Sequence, residues 1–499
     1  MTHLRTGLAA LVTTAAAAGA CATVWLISSL FGAGGASAVL ATVVALSLGR
    51  REFAGRAEFA RSALLLPVIG VAAAGVGWLL TAEPVVGAVV FVAGMSVPVW
   101  MRRFGPRAAR LGALIALPLT AMLVVPVAPA AEVPIWASTL LALISGVVAV
   151  LWVALAREVL VLVGASPLRR RGAAAVRPAP EPAAAPRAPS KPPAPRQGRR
   201  RLPASTRMAL QLAIALSVAF VVGWLVFPAH AIWVVLTAYI VNAGNRGRGD
   251  VLHKSVLRVV GALGGSVAAV GMALAVPTAG GFAAVVVIFV ALFVGTWLRT
   301  YSYAYWALTV TLVITLVQEL LGVSPLLGPG GLAGEAGMLG ERMAAIVVGA
   351  VIGVASAWFI LPVRSTDVLR RRLSELLIAL TTALAPDAED TDDRPARIAA
   401  FHSALARVEE LAPAHRARRL LGGRRTVQPI DCIDAAAALG PALDGRFGDA
   451  RFEGRRRADP DARSRLREAI GQARRSLGAP ADLERIHSSL LAVAGALEA

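Results

Sequence analysis

The chain has 499 residues, 57% of them hydrophobic and only 16% charged, with a formal net charge of +20. A soluble globular domain is about a quarter charged, so this composition excludes an ordinary soluble enzyme. The arginines sit in short loops between apolar runs, which favours a membrane surface over nucleic acid as their partner, and two cysteines, Cys21 and Cys432, are too few for a disulfide framework.

Apolar stretches of about twenty residues recur along the chain, and one such helix crosses a hydrocarbon core of roughly 30 Å. The first, Gly7–Leu30, follows Met1–Arg5 and resembles a signal peptide at its start. Its apolar run continues to Phe31, longer than a signal core, so it reads as a retained span. Ala33–Leu48, Ser62–Thr81, Val85–Trp100, Leu111–Val127 and Pro134–Leu155 complete a first set of six. A second set follows at Met208–Phe227, Ala231–Ala243, Val256–Val276, Gly281–Leu298, Tyr303–Leu321 and Met343–Leu361. The second span of each set is short, and short or broken spans often line a transporter's substrate site.

The loops alternate in charge. One series carries Arg50, Arg51, Arg56 and Arg61, then Arg102, Arg103, Arg107 and Arg110, then the long linker, then Arg246, Arg248 and Lys254, then Arg299, then Arg364 onward. The alternate series holds no Lys or Arg, with Arg342 at its edge. Under the positive-inside rule the basic loops face the cytoplasm, and so do both termini. The expected fold is therefore all-α: two repeated six-helix transmembrane bundles at 1–163 and 204–363, twelve spans in all. A Pro/Ala/Arg-rich cytoplasmic tether at 164–203 joins them, and a cytoplasmic helical domain occupies 364–499.

In that last region Leu369, Leu373, Leu376, Leu377 and Leu380 make one apolar stripe. Asp393-Arg394-Pro395 starts a helix bearing Ile398, Phe401, Leu405 and Val408. Asp459-Pro460 opens one bearing Leu466, Ile470 and Leu477, and a final helix carries Leu483, Ile486, Leu490, Val493 and Leu497. Each stripe needs a cover, either within a small domain or across a homo-oligomer. The charge runs Asp387–Asp393 and Arg416–Arg425 read as solvated loops.

Of enzyme chemistry the sequence offers little. Neither lysine, Lys191 nor Lys254, follows a glycine, so a phosphate-cradling Gly-Lys-Ser/Thr loop is missing. No His-x-x-x-His, cysteine cluster or Gly-x-Ser-x-Gly elbow occurs, and no metal or cofactor is expected. Ionisable residues within spans are costly in lipid and are the best site candidates. Asn242, Arg246, Arg248, Arg258 and Arg299 gather near cytoplasmic loops, where guanidinium groups would concentrate small organic anions. On the eleventh span and the turn before it, Tyr301, Tyr305, Thr309 and Glu319 fall on one helical face, a strip suited to a pathway wall. Glu341 and Arg342 open the twelfth span at the level of Glu319, which sets up a Glu319–Arg342 ion pair there. Gly261-x-x-x-Gly265 and Gly349-x-x-x-Gly353 permit close helix packing.

The second half resembles the fusaric acid resistance and aromatic acid exporter family. The likeness rests on Trp233-Val-Val-Leu-Thr-Ala-Tyr239, Arg258-Val-Val-Gly-Ala-Leu-Gly264-Gly265, Tyr301-Ser-Tyr-Ala-Tyr305-Trp306, and Glu341-Arg342 followed by Val-Val-Gly349 and Gly353. It covers about Leu202 to Val363; the first half shares only the span pattern and lacks the Arg-x-x-Gly signature. The resemblance implies a plasma-membrane exporter of aromatic or other organic acids, driven by the proton gradient. It also implies a distant likeness to plant malate-permeable anion channels. An anion channel of the same fold and a non-transporting membrane scaffold are the competing expectations.

Overall fold

The computed structural model describes residues 2–32, 35–49, 51, 56–124, 135–162, 203–243, 248–275, 281–299, 301–322, 331–360, 365–385, 394–421, 427–448, 460–478 and 482–498. They are helical, and the chain divides into two compact units. The proposed tether as far as residue 202 and the acidic run Asp387–Asp393 lie outside the described residues.

The first unit is built from α1 (Thr2–Leu30), α2 (Ala36–Gly49), α3 (Arg56–Ala82), α4 (Pro84–Met101), α5 (Pro106–Val124), α6 (Ile135–Leu162), α7 (Ala204–Val226), α8 (Ala231–Asn242), most of α9 (Arg248–Ala275), α10 (Gly281–Leu298), α11 (Tyr303–Leu320) and α12 (Gly331–Phe359). Each corresponds to one of the twelve apolar segments read from the sequence. Among the described residues, nine are long and apolar enough to cross a bilayer, while α2, the apolar part of α5, and α8 are shorter.

The two short helices are central. α8 has twelve residues, about 18 Å of rise, and Trp233, Val234, Val235, Leu236, Thr237 and Ala238 are all buried. α2 has fourteen residues and buries Leu40, Val44, Leu46 and Leu48. Several long helices instead turn large apolar side chains outward, including Leu64, Val85, Leu162, Leu225, Phe282 and Phe359. In water that surface would aggregate; against lipid tails it is the natural exterior.

Helix packing follows one scheme in both halves. In the first, α1, α2 and α6 pack mutually; in the second, α7, α8 and α12 do. Across the halves α1 packs on α10 and α7 packs on α4, with Phe91 and Phe220 meeting edge-to-face at 5.8 Å. The halves differ in backbone detail. Pro67, Pro98 and Pro118 lie inside α3, α4 and α5, whereas no helix from α7 to α12 contains an internal proline.

Small residues set the closest approaches. A Cβ on Gly261 would stand 2.5 Å from the Ala304 carbonyl, and one on Gly265 would collide with the Leu308 carbonyl, so α9 lies directly on α11. A Cβ on Gly349 would run into the Val234 carbonyl, and one on Gly353 would meet Val241 and Asn242 at 3.0 Å, so α12 lies on α8.

The second unit is made by α13 (Ser365–Ala383), α14 (Arg394–Glu409), α15 (Ala412–Leu421), α16 (Pro429–Ala437), α17 (Leu439–Gly448), α18 (Pro460–Ser476) and α19 (Leu483–Glu498). The predicted stripes face one another: Leu369, Leu373, Leu376, Leu377, Leu380, Phe401, Val408, Leu466, Ile486, Leu490, Val493 and Leu497 share one core. Three helices escape the sequence reading. α15 takes in most of the run expected to be a solvated loop, because Arg416 and Arg419 pair with Asp434 (3.2 Å) and Asp431 (2.9 Å) while Leu411 and Ala412 turn inward. α16 starts at Pro429, its first turn closed by the Gln428 amide donating to Asp431 Oδ2 at 2.8 Å. α17 follows directly and adds Leu439 and Leu443 to the core.

Candidate functional site

Among the described residues of the first unit, two arginines are buried. Arg258 is ten residues beyond the start of α9, about 15 Å along it, and is 0% exposed. Arg342 is eleven residues beyond the start of α12, about 17 Å along it, and is also buried. The sequence reading set both near span ends. It stopped each span at the charges, whereas α9 begins eight residues before the predicted start at Val256, and α12 begins twelve before Met343.

α11 holds both guanidinium groups. Arg258 Nη1 donates to the Ala307 carbonyl at 3.3 Å and to Thr311 Oγ1 at 3.1 Å. Arg342 Nη1 donates to Thr315 Oγ1 at 2.7 Å, and its Nη2 to Ser266 Oγ on α9 at 2.8 Å. Each threonine spends its own proton on the helix: Thr311 Oγ1 on the Ala307 carbonyl (3.0 Å) and Thr315 Oγ1 on the Thr311 carbonyl (2.8 Å). Their lone pairs therefore face the arginines. Trp233, buried on α8, lies 5.2 Å below the Arg342 guanidinium, a cation–π contact. Four helices thus contribute: α8, α9, α11 and α12.

This constellation is costly in apolar surroundings. A buried cation needs an opposite charge or a full set of hydrogen bonds. Here every protein hydrogen bond to the two guanidiniums ends on a neutral oxygen. Among the described residues Arg258 Nε, Arg258 Nη2 and Arg342 Nε have no partner. An N–H of a guanidinium left in this state is a strong donor for a charged acceptor.

The other candidates are spread more widely. Arg299 ends α10, exposed, with its guanidinium 5.7 Å from the Trp306 ring, so it does not share the enclosure of Arg258. Asn242 is buried at the end of α8; its Nδ2 donates to the Ala238 carbonyl and its Oδ1 has no partner. Arg246 and the side chain of Arg248 lie outside the described residues. The strip on α11 is divided: Tyr301 and Tyr305 are 57% and 46% exposed, whereas Thr309 is buried against Gly295 of α10. Glu319 is half-buried near the end of α11. Glu341 and Arg342 point apart, as neighbours 100° apart on a helix must. The Glu341 side chain is 68% exposed with Oε2 3.7 Å from His230 Nδ1, and Arg342 turns inward. Ser266, Thr311 and Thr315 were missed by the sequence reading, which had Trp233 only as part of the resemblance, although Thr311 and Thr315 share the four-residue spacing that stacks hydroxyls on one face.

Apolar helices of crossing length, an outward apolar surface and a charge-bearing interior define a multi-pass α-helical membrane protein. Residues 213–356, the stretch that contains both arginines, match the family described as fusaric acid resistance protein-like, so the resemblance read from the sequence holds over that segment. No curated protein and no solved structure matches the chain.

Proposed function

We propose that the protein is a secondary, proton-coupled exporter of aromatic or other hydrophobic organic acids across the plasma membrane. The observation that carries this reading is Arg258, a fully buried guanidinium with Nε and Nη2 unpartnered. A family-level match to fusaric acid resistance proteins supports a transporter-type role. Physics favours the outward direction: with a negative interior, each monoanion leaving gains about 2.3 kcal/mol per 100 mV. In this reading the chain spans the bilayer twelve times, with basic loops, both termini and the tether in the cytoplasm. The shared packing scheme of the halves supports an internal duplication whose first copy carries no counterpart of Arg258. Glu319 supplies the protonatable carboxylate, while Arg299 and the 242–248 loop gather anions at the cytoplasmic mouth.

The test is flux in proteoliposomes over a panel of aromatic acids, with and without an imposed pH gradient. The native chain is expected to show saturable efflux that the gradient stimulates. Arg258→Ala should reduce it at least about a hundredfold, the scale of a lost charged hydrogen-bond set of ~3 kcal/mol, with membrane insertion intact. Glu319→Gln should remove the gradient's effect. Unchanged efflux in Arg258→Ala would overturn the reading, and unitary currents without saturation would replace the carrier by a channel.

A further inference from the structure

Beside the arginine enclosure stands a second pair of titratable groups, His230 and Glu341. His230 ends the short turn Pro228–His230 and is the N-cap of α8, where its side chain makes no capping bond. That turn packs on α7, α8 and α12. The imidazole is 13% exposed, and among the described residues its Nδ1 is buried without a hydrogen-bond partner. Glu341 Oε2 on α12 stands 3.7 Å away, beyond hydrogen-bond length. Each member of the pair adjoins a member of the Arg342–Trp233 contact. Glu341 precedes Arg342 in the chain, and Trp233 lies three residues beyond His230, close to one helical turn.

A proton changes this geometry. An imidazole whose Nδ1 carries only a lone pair repels the Glu341 oxygen, which fits the gap. A proton at Nδ1 turns repulsion into a charged hydrogen bond of about 2.8 Å, and the pair passes from one negative charge to none. Among the described residues, the charges facing His230 from α12 are Glu341 and Arg342, while residues 210–226 of α7 and 231–238 of α8 carry no ionisable side chain. Burial, the strongest influence, holds the imidazole below its ordinary value of about 6.5; Glu341 opposes burial and Arg342 adds to it. The ring is therefore neutral in a neutral medium and takes its proton in acid. We propose that His230 and Glu341 form a proton-operated latch between the start of α8 and α12, which slows the release of anions into an acidic medium. The inference rests on the exporter reading, in which the arginine-free turn before α8 faces outside. Two effects act in one direction. The closed latch ties α12 to the turn that leads to Trp233, and the new positive charge beside Arg342 strengthens its hold on an anion. That direction suits an exporter of acids, because a carboxylate released into acid becomes neutral and recrosses the lipid.

NMR of the full chain in detergent, with isotope-labelled histidine, tests the proton site without recourse to transport. The His230 resonance, assigned by its loss in His230→Gln, should titrate with a midpoint below about 6.5. Glu341→Gln, which removes the opposing carboxylate, should lower that midpoint by about half a pH unit. Efflux of labelled benzoate from loaded cells, measured against cells lacking the chain, tests the latch. The cytoplasm is buffered, so passive outward leak stays fixed while the medium is changed. Native efflux should climb as the medium is acidified from about pH 7.5, because the gradient grows, and then fall at least about threefold below its maximum by about pH 5 as His230 fills. In His230→Gln and in Glu341→Gln it should climb throughout. Should His230→Gln not fold, Glu341→Gln carries the test, since that side chain is 68% exposed. A His230 midpoint at or above about 6.5, a midpoint unmoved in Glu341→Gln, or an acid fall that survives in both variants would each overturn the latch. Efflux that climbs throughout in the native chain would remove the latch alone. Titration as expected, with no efflux at any pH, would remove the exporter reading and leave the proton-bound pair standing.

Discussion

A single side chain shows how strongly burial acts in the second unit. Cys432 is fully buried on α16, and its thiol donates to the Leu483 carbonyl at 3.5 Å. Burial first, and the neighbouring charge of Asp431 second, push the thiol up to about 12, against roughly 8.5 for a free cysteine. Because the folded value lies above the unfolded one, the contribution to stability is whole below about pH 8.5 and erodes as pH rises from there towards 12. In a Cys21→Ser background, iodoacetamide at pH 8 should therefore label Cys432 roughly a thousandfold more slowly in the native chain than in denaturant, as the thiolate fraction dictates. Mass spectrometry of the modified protein would report it, and equal rates would refute the buried thiol. Residues of this sort were legible from the sequence only where periodicity marked them. Arg258 stood out as a charge within an apolar run. Arg342 did not, since Glu335, Glu341 and Arg342 lower the local hydropathy and make the middle of α12 resemble a loop.

Among the elements, α9 and α11 show what the glycines do. Gly261 and Gly265 bring α9 against the α11 backbone, which places Arg258 Nη1 within reach of Ala307 and Thr311. A leucine at 265 has to displace the Leu308 carbonyl and the Thr311 side chain, so the helices must part. We expect Gly265→Leu to cost about 1–3 kcal/mol, the usual range for overpacking, and to abolish anion binding as fully as Arg258→Ala. Gly271 on the same helix has open space around it, and Gly271→Leu should leave binding and unfolding temperature unchanged. Thermal unfolding of the two variants side by side settles the point. The Gly-x-x-x-Gly spacings announced close packing in advance, yet nothing in them names the partner helix. That information lies in contacts between residues some forty or more positions apart, which local pattern cannot carry. The same limit hid α15, α16 and α17: they are nine or ten residues long, too short to display a convincing stripe, and their burial depends on neighbours far along the chain.

At the level of the whole molecule, the alternation of basic and charge-free loops gives the most direct test. If the 164–203 segment lies in the cytoplasm, Ser190→Cys in a cysteine-free background should resist an impermeant maleimide on intact cells and react once the membrane is opened. Reaction on intact cells would invert or break the topology. The twelve apolar segments were readable because lipid imposes a length and a composition on each helix; which of them sit at the centre was foreshadowed only by the brevity of α2 and α8. The crosswise seating of α1 on α10 and of α7 on α4 has a consequence for biogenesis. A ribosome delivers α4 long before α7 exists, and α1 longer still before α10, so the early helices wait in the bilayer with their mating surfaces bare. Neither half reaches its final form alone, and a chain cut between them should become competent only when both pieces are made in the same cell.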